Sequence, residues 1–424
     1  MGEIEKMTLE SESLIDDRLN KLKELMPEVF SESGIDFDKL RLELGDEVDE
    51  GLERYAFTWP GKADAIRQSQ MSSTATLRPR IEKSRSRDGE DGSFDSDNIY
   101  IEGDNLEVLK LLQRGYHGKV KMIYIDPPYN TGHDFVYKDN FGNSVDNYKE
   151  QAGLAGQSNA DTSGRYHSDW CSMMYPRLRL ARELLTDDGV IFISIDDNED
   201  RNLRILCDEV FGEANFVSQL IWERAYSPKN DAKYVSNSHD YVLVYAKSIE
   251  RFVIGRLPRT DEANARYKNP DNDPRGVWKP SDLSVKTYSP DSDYPITTPS
   301  GRVVEPPAGR CWSLSRNAFR ERLQDNRIWF GPNGDSVPCI KRFLTELKYD
   351  GMAPTSIMFY KEVGHSQEGA KELVSLFDGK GYFDGPKPTK LLQRLITLAN
   401  LLMCDKEAIE VQKILPFLSD TWPL

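Results

Sequence analysis

The chain has 424 residues, enough for two or three domains, with 38% hydrophobic residues and a mean hydropathy of −0.61, ordinary values for a globular protein. No run is long and apolar enough to span a membrane, and the acidic N-terminus does not read as a signal peptide. The net charge of −15 weighs against a nucleic-acid partner, but residues 1–54 alone hold 17 acidic and 7 basic residues, contribute −10, and leave only −5 for the rest.

The five cysteines (Cys171, Cys207, Cys311, Cys339, Cys404) are scattered, form no Cys-x-x-Cys pair and do not cluster with the five histidines. That pattern predicts reduced thiols in the cytoplasm and no metal site. In residues 1–54, Leu14, Leu19, Leu22, Leu25, Met26, Val29 and Phe30 recur at helical spacing, so one or two amphipathic helices are expected, with Pro27 as a kink. The acidic faces read as solvated surface or as a docking arm for a partner. After Tyr55–Ala63 a short helix is expected over Ala63–Gln70. The Arg/Ser/Asp/Gly stretch 78–98 reads as a linker or surface loop, whose basic half, Arg78 to Arg87, is a candidate for touching phosphate.

Asn98–Glu102 is expected to be a strand, followed by a helix over Leu106–Arg114 with Asp104 or Asn105 as its N-cap. Val120–Ile125 is apolar and β-branched and reads as the next strand, which makes a β-α-β unit and predicts a doubly wound α/β sheet. Asp126-Pro127-Pro128-Tyr129 ends that strand, because two prolines fix φ twice and remove two N–H donors. A carboxylate, a carbonyl and an aromatic ring are thus set at the carboxyl end of a strand, where open α/β sheets bind ligands. The set suits one difficult reaction. An exocyclic amine on a nucleobase is a poor nucleophile because its lone pair is delocalised into the ring. If Asp126 and the Pro127 carbonyl each accept one N–H, the nitrogen moves toward tetrahedral geometry and its lone pair points at an electrophile, while Tyr129 stacks on the base.

Asn130–Gly164 is a polar loop next to that motif, with Phe135, Tyr137 and Phe141 as stacking surfaces. A helix is expected over Tyr166–Leu185, then a turn at Asp187-Asp188-Gly189 and a strand over Val190–Ile195. Asp196-Asp197-Asn198-Glu199 at its carboxyl end reads as the N-cap of a helix over Asn202–Phe211. Two further strands are expected at Phe216–Glu223 and Tyr241–Ala246. Over 247–348 the βα alternation stops, Pro and Gly are frequent, and Arg256, Arg259, Arg266, Arg275, Arg302, Arg310, Arg316, Arg320 and Arg322 are available for phosphates or base edges. Helices are expected over Glu368–Phe377 and Leu391–Leu402.

Asp126-Pro-Pro-Tyr129 resembles the catalytic tetrapeptide of adenine-N6 DNA methyltransferases. The longer stretch from Tyr100-Ile-Glu-Gly-Asp-Asn-Leu-Glu-Val-Leu109 to Gly132 resembles the modification subunit of type III restriction-modification systems, and the likeness runs from about Tyr55 to Asn400. It includes Thr58-Trp-Pro-Gly-Lys62, for which a packing turn is the default. The resemblance implies a Rossmann-like class I methyltransferase sheet with an inserted mixed α+β target-recognition region. The domains it implies are an acidic arm (1–54), a catalytic half (55–246), a recognition region (247–348) and a return to the methyltransferase domain (349–424). It implies methyl transfer from S-adenosylmethionine to adenine N6 in duplex DNA, with Asp126, Pro127, Pro128 and Tyr129 as catalytic residues. Asp104, Asn105, Phe383, Lys387 and Pro388 are implied on the cofactor side. The partners it implies are a second modification subunit and a restriction (helicase-nuclease) subunit. Cytosine-N4 methylation is the rival chemistry, with Ser usual in place of Asp126.

In this family the Phe-x-Gly-x-Gly cofactor loop comes last, shortly after the position of Asn400, yet no glycine follows Gly385. A backbone packed closely against a cofactor needs glycine. Three expectations stand side by side: a split enzyme completed by a second polypeptide, a truncated product, or a DNA-binding or complex-forming subunit without catalysis.

Overall fold

The computed structural model describes residues 14–31, 34–44, 57–86, 89, 91–92, 98–131, 164–228, 230, 232–349, 351–377, 379–381 and 385–400. The loop aromatics Phe135, Tyr137 and Phe141, together with Phe383 and Cys404, lie outside the described residues. The chain divides into two compact units, Met1–Gly255 with Thr355–Leu424, and Arg256–Pro354.

The first unit begins with α1 (Leu14–Leu25), a single turn at Pro27–Val29 and α2 (Phe37–Leu44). Next is α3 (Lys62–Gln70), held by the preceding turn. Trp59 donates through Nε1 to Ser172 Oγ at 2.9 Å and meets Tyr175 edge-on at 5.5 Å. Gly61 has φ +99°, and a Cβ there would come within 2.8 Å of the same Ser172 oxygen, so only glycine lets the turn sit this close. Lys62 closes the clamp on the Phe57 carbonyl and Glu209.

Asn98–Glu102 forms no strand and pairs with none among the described residues, contrary to expectation. Ile99 and Tyr100 are exposed, and no described strand lies beside them to complete a ladder. Then α4 (Asn105–Tyr116) leads to β1 (Val120–Ile125), with Asp104 Oδ1 accepting from Glu107 N at 2.9 Å as the N-cap. Further on come α5 (Gly164–Leu184), β2 (Leu185–Ile195), α6 (Asp200–Phe211), β3 (Phe216–Glu223) and β4 (His239–Ala246). Asp187-Asp188-Gly189 is not a turn between elements but a bulge inside β2: Val120 faces Leu185 while Met122 already faces Val190.

The second unit carries β5 (Trp278–Asp282), α7 (Arg316–Gln324), β6 (Ile328–Trp329) and β7 (Cys339–Phe343). There β7 is central and antiparallel to both β5 and β6. Its core joins Leu283, Tyr294, Ile296, Trp312, Phe319 and Ile340. The chain returns to the first unit with β8 (Ile357–Met358), α8 (Ser366–Leu376) and α9 (Thr389–Leu398).

The five-stranded sheet has the order β8-β3-β4-β2-β1. Its outer pairs, β1 with β2 and β3 with β8, are parallel, and β4 runs antiparallel between β2 and β3. The sheet is therefore mixed rather than uniformly doubly wound. No described helix separates β3 from β4, and without a crossover the chain can only reverse. Ile123, Ile193 and Leu243 of the sheet are fully buried, with Trp170, Leu178 and Leu184 of α5 and Leu203 and Leu206 of α6 packed in the same core. Among the described residues no helix is long and apolar enough to cross a membrane.

Candidate functional site

Three strands deliver polar side chains to one edge of the sheet. Asp126 follows β1, Asp196 follows β2, and Asp240 sits near the start of antiparallel β4, opposite Trp222 of β3. The Pro127-Pro128 pair stops β1 and turns Asp126 out of the ladder. Trp170 Nε1, reaching up from α5, donates to the Pro128 carbonyl at 2.8 Å and holds the turn.

Asp126 Oδ2 accepts from Lys387 Nζ at 2.6 Å, across 261 positions of sequence. Both side chains are largely shielded, at 24% and 11% exposed. The Lys387 ammonium lies 5.1 Å from the Tyr129 ring and 5.9 Å from that of Trp222, so two π faces and a carboxylate surround it. One carboxylate oxygen of Asp126 carries the lysine and the other, Oδ1, is a second acceptor. Burial, and then the charge of Asp126, hold the Tyr129 phenol well above its ordinary pKa, with its buried hydroxyl beside the Asp126 carboxylate.

Asp240 is 5% exposed. Burial raises its pKa to about 6, against the opposing pull of Arg224, whose Nε is 2.9 Å away, and of Lys387. The charges of Asp196 and Asp126 push in the same direction as burial. Asp197 is occupied otherwise, accepting from Tyr241 Oη at 2.8 Å and from Asn237 Nδ2.

The residues expected on the cofactor side part company. Asn105 Oδ1 accepts from Arg177 Nε at 2.6 Å, and Asp104 caps α4. Asn105 and Arg177 line a narrow cleft with Ile125, Asp126, Pro127, Pro128, Met173, Met174 and Ala181; its free volume, ≈ 20 Å³, would take about one water. Pro388 is the N-cap position of α9 and is buried, while Lys387 stands at Asp126. Lys387 is thus in direct contact with Asp126, which itself lines the cleft beside Asn105.

The acidic cluster expected to cap α6 does so only in position. Glu199 occupies the N-cap but makes no capping bond. Its carboxylate, fully buried, turns back to accept from Asn130 Nδ2 and from Asn202 Nδ2 at 2.7 Å, and lies 2.6 Å from His167 Nδ1. The sequence marks Glu199 only as part of an acidic cap and His167 not at all, because their contacts join residues 32 and 69 positions apart.

Some basic residues are already engaged. Arg80 pairs with Glu82 and Arg85 with Asp91. In the second unit Arg275 holds Asp273 and Asp325, and Arg310 holds Asp282, whereas Arg316, Arg320 and Arg322 lie exposed on α7. Among the described residues no group of three or more His, Cys, Asp or Glu could hold a metal ion.

Comparison with known proteins gives this geometry a context. Residues 120–401 match the sequence pattern of a family described as DNA methylase. The type III restriction-modification enzyme StyLTI Mod subunit of Salmonella typhimurium is 37% identical over 90% of this chain and 58% of its own length. The EcoPI Mod subunit of Escherichia phage P1 is 33% identical over 92% of this chain and 64% of its own. The type II methyltransferase M.KpnI of Klebsiella pneumoniae is 30% identical over 71% of this chain and 70% of its own. The chain spans about six tenths of the length of the two Mod subunits.

Proposed function

Since the chain belongs to the DNA methylase family, we propose that it serves as the modification subunit of a type III restriction-modification system, transferring a methyl group from S-adenosylmethionine to adenine N6 in duplex DNA. The observation that carries this reading is the placement of Asp126, at the carboxyl end of β1, with one carboxylate oxygen held by Lys387 and the other turned to no lysine. The cofactor supplies an electrophilic methyl group on a sulfonium. Ile125, Met173, Met174 and Ala181 offer an apolar wall of the kind a thioether packs against, with Asn105 among the polar groups, although the cleft they line has room for about one water.

In this reading Asp126 and the Pro127 carbonyl accept the two N–H groups of the target amine and turn its lone pair outward. The base must leave the helical stack to reach them. Tyr129 stacks on it, and Pro128, fixed by Trp170, keeps the turn rigid. Lys387 fixes the rotation of the Asp126 carboxylate, so that Oδ1 is the oxygen presented. After transfer the amine nitrogen bears excess positive charge and is strongly acidic, so a carboxylate or water takes its proton. An Asp here, rather than Ser, favours adenine over cytosine N4.

The same reading assigns the second unit, Arg256–Pro354, to target recognition, with Arg316, Arg320 and Arg322 facing DNA. It gives the chain a second modification subunit and a restriction (helicase-nuclease) subunit as partners, in the cytoplasm. The test is Asp126→Ala, assayed for incorporation of labelled methyl groups into adenine. Transfer should fall about a hundred- to a thousandfold, on the order expected for loss of a principal electrostatic group of a site. Duplex-DNA affinity should stay within about twofold, since one carboxylate at the target base adds little to phosphate-dominated binding. Unchanged transfer in this variant would remove Asp126 from the reaction.

A further inference from the structure

Directly after the tetrapeptide, Asn130 adopts φ +58°, a left-handed conformation that a non-glycine residue takes up at a cost. Its side chain is buried, at 6% exposed. Asn130 Nδ2 donates to Glu199 Oε1, and the amide oxygen Oδ1 is buried with no partner among the described residues. The orientation is not interchangeable. A carboxylate accepts and does not donate, so it draws the NH2 group and turns the oxygen away. Glu199 itself is locked by Asn202 from α6 and by His167 from α5, so the amide is referred to two helices at once.

An acceptor buried without a donor is expensive, and its retention next to Tyr129 calls for a donor that arrives with a ligand. We propose that Glu199 is a positioning residue of this site: it fixes the Asn130 amide so that Oδ1 meets an N–H or O–H donor of a bound ligand. Two ligands of the proposed reaction carry such donors. S-adenosylmethionine has ribose hydroxyls and an ammonium, and the flipped adenine has its N–H groups. The inference therefore rests on the proposed function. Glu199 touches neither ligand and acts through Asn130.

The test uses the full chain with Glu199→Gln, Asn130→Gly and the double variant. Glycine removes the amide while keeping the left-handed backbone free of strain. Glutamine presents an N–H as well as an oxygen, so the facing amide no longer has one preferred orientation. Each protein is titrated calorimetrically with S-adenosylmethionine and, separately, with adenine-containing duplex DNA, and melted without ligand. One of the two ligands should bind Asn130→Gly about tenfold more weakly, the other within twofold; which one changes identifies the donor. Glu199→Gln should weaken the same ligand at least threefold, and the double variant should be no weaker than Asn130→Gly, because both changes act through one atom. If Glu199 merely supports the fold, melting temperatures drop while both affinities stay at the wild-type level, and the proposal is overturned with the proposed function intact. Should Glu199→Gln fail to fold, Asn130→Gly alone decides, since unchanged affinities for both ligands exclude a contact at Oδ1. Wild-type protein that binds neither ligand overturns both readings.

Discussion

Replacing Asp240 with asparagine tests whether the polar edge of the sheet is strained by buried charge. The carboxyl is 5% exposed and faces Arg224 and Lys387 on one hand, Asp196 and Asp126 on the other. Burial wins and lifts its pKa from 3.8 to about 6. Between those values the folded protein binds the proton more tightly than the unfolded chain does, so stability falls as pH rises. The contribution is fully present below 3.8 and is lost as pH passes through about 6. The displacement corresponds to roughly 3 kcal/mol in all, of which about 2 kcal/mol falls between about pH 4.5 and about pH 7.5. Asparagine keeps the shape and has no charge to desolvate, and Arg224, one-third exposed, stays hydrated when its partner is neutral. Urea unfolding of both proteins across that range isolates the group, because every other titration cancels in the difference. The variant should gain on the wild type by about 2 kcal/mol from the acid to the neutral end. A difference that stays constant within about 0.5 kcal/mol, near the limit of such extrapolations, would show that Asp240 does not titrate there and would refute the reasoning.

Two further outcomes follow from packing. In the second unit Lys341 is fully buried between Trp278 and Trp329, paired with Asp271 and Asp273. A hydrogen bond from Arg275 foremost holds Asp273 well below the usual carboxylate range. Lys341→Met removes the central cation and leaves two carboxylates facing each other; denaturant unfolding should show a loss of about 3 kcal/mol, at the low end for a broken buried pair because Arg275 remains. A stability equal to wild type would mean the triad carries no net charge burden. In the first unit a Cβ at Gly255 would sit 1.8 Å from the Thr397 carbonyl oxygen, beside the bond from Gly255 N to the Leu398 carbonyl. Gly255→Ala must push the end of α9 away and should cost about 2 kcal/mol or more in the same assay, as overpacking does. Wild-type stability of that variant would mean the end of α9 yields freely.

Much of the site was legible locally. The apolar β-branched run 120–125 and the double proline after it define β1 and its end to the residue, since both signals act between chain neighbours. The same holds for Asp104, whose capping bond spans three positions. The Asn98–Glu102 strand was misread for the complementary reason: alternation of side chains is local, but a strand exists only if another strand lies beside it. The direction of β4 was likewise decided by its neighbours, β2 and β3, and not by its own apolar run.

Composition, strand-ending prolines and helix caps are properties of a few consecutive residues, and by itself the sequence determined these: an α/β chain with Asp126-Pro-Pro-Tyr129 at the end of a buried strand. What surrounds that carboxylate came only from the tertiary structure. Lys387 reaches Asp126 from 261 positions away, Trp170 reaches Pro128 from 42, and Glu199 reaches Asn130 from 69. A lysine, a tryptophan and a glutamate are ordinary surface or core residues wherever they appear in a string. Their roles arise because closing the core brings distant segments together in a dry space, where each charge or donor must find a partner or be expensive to keep.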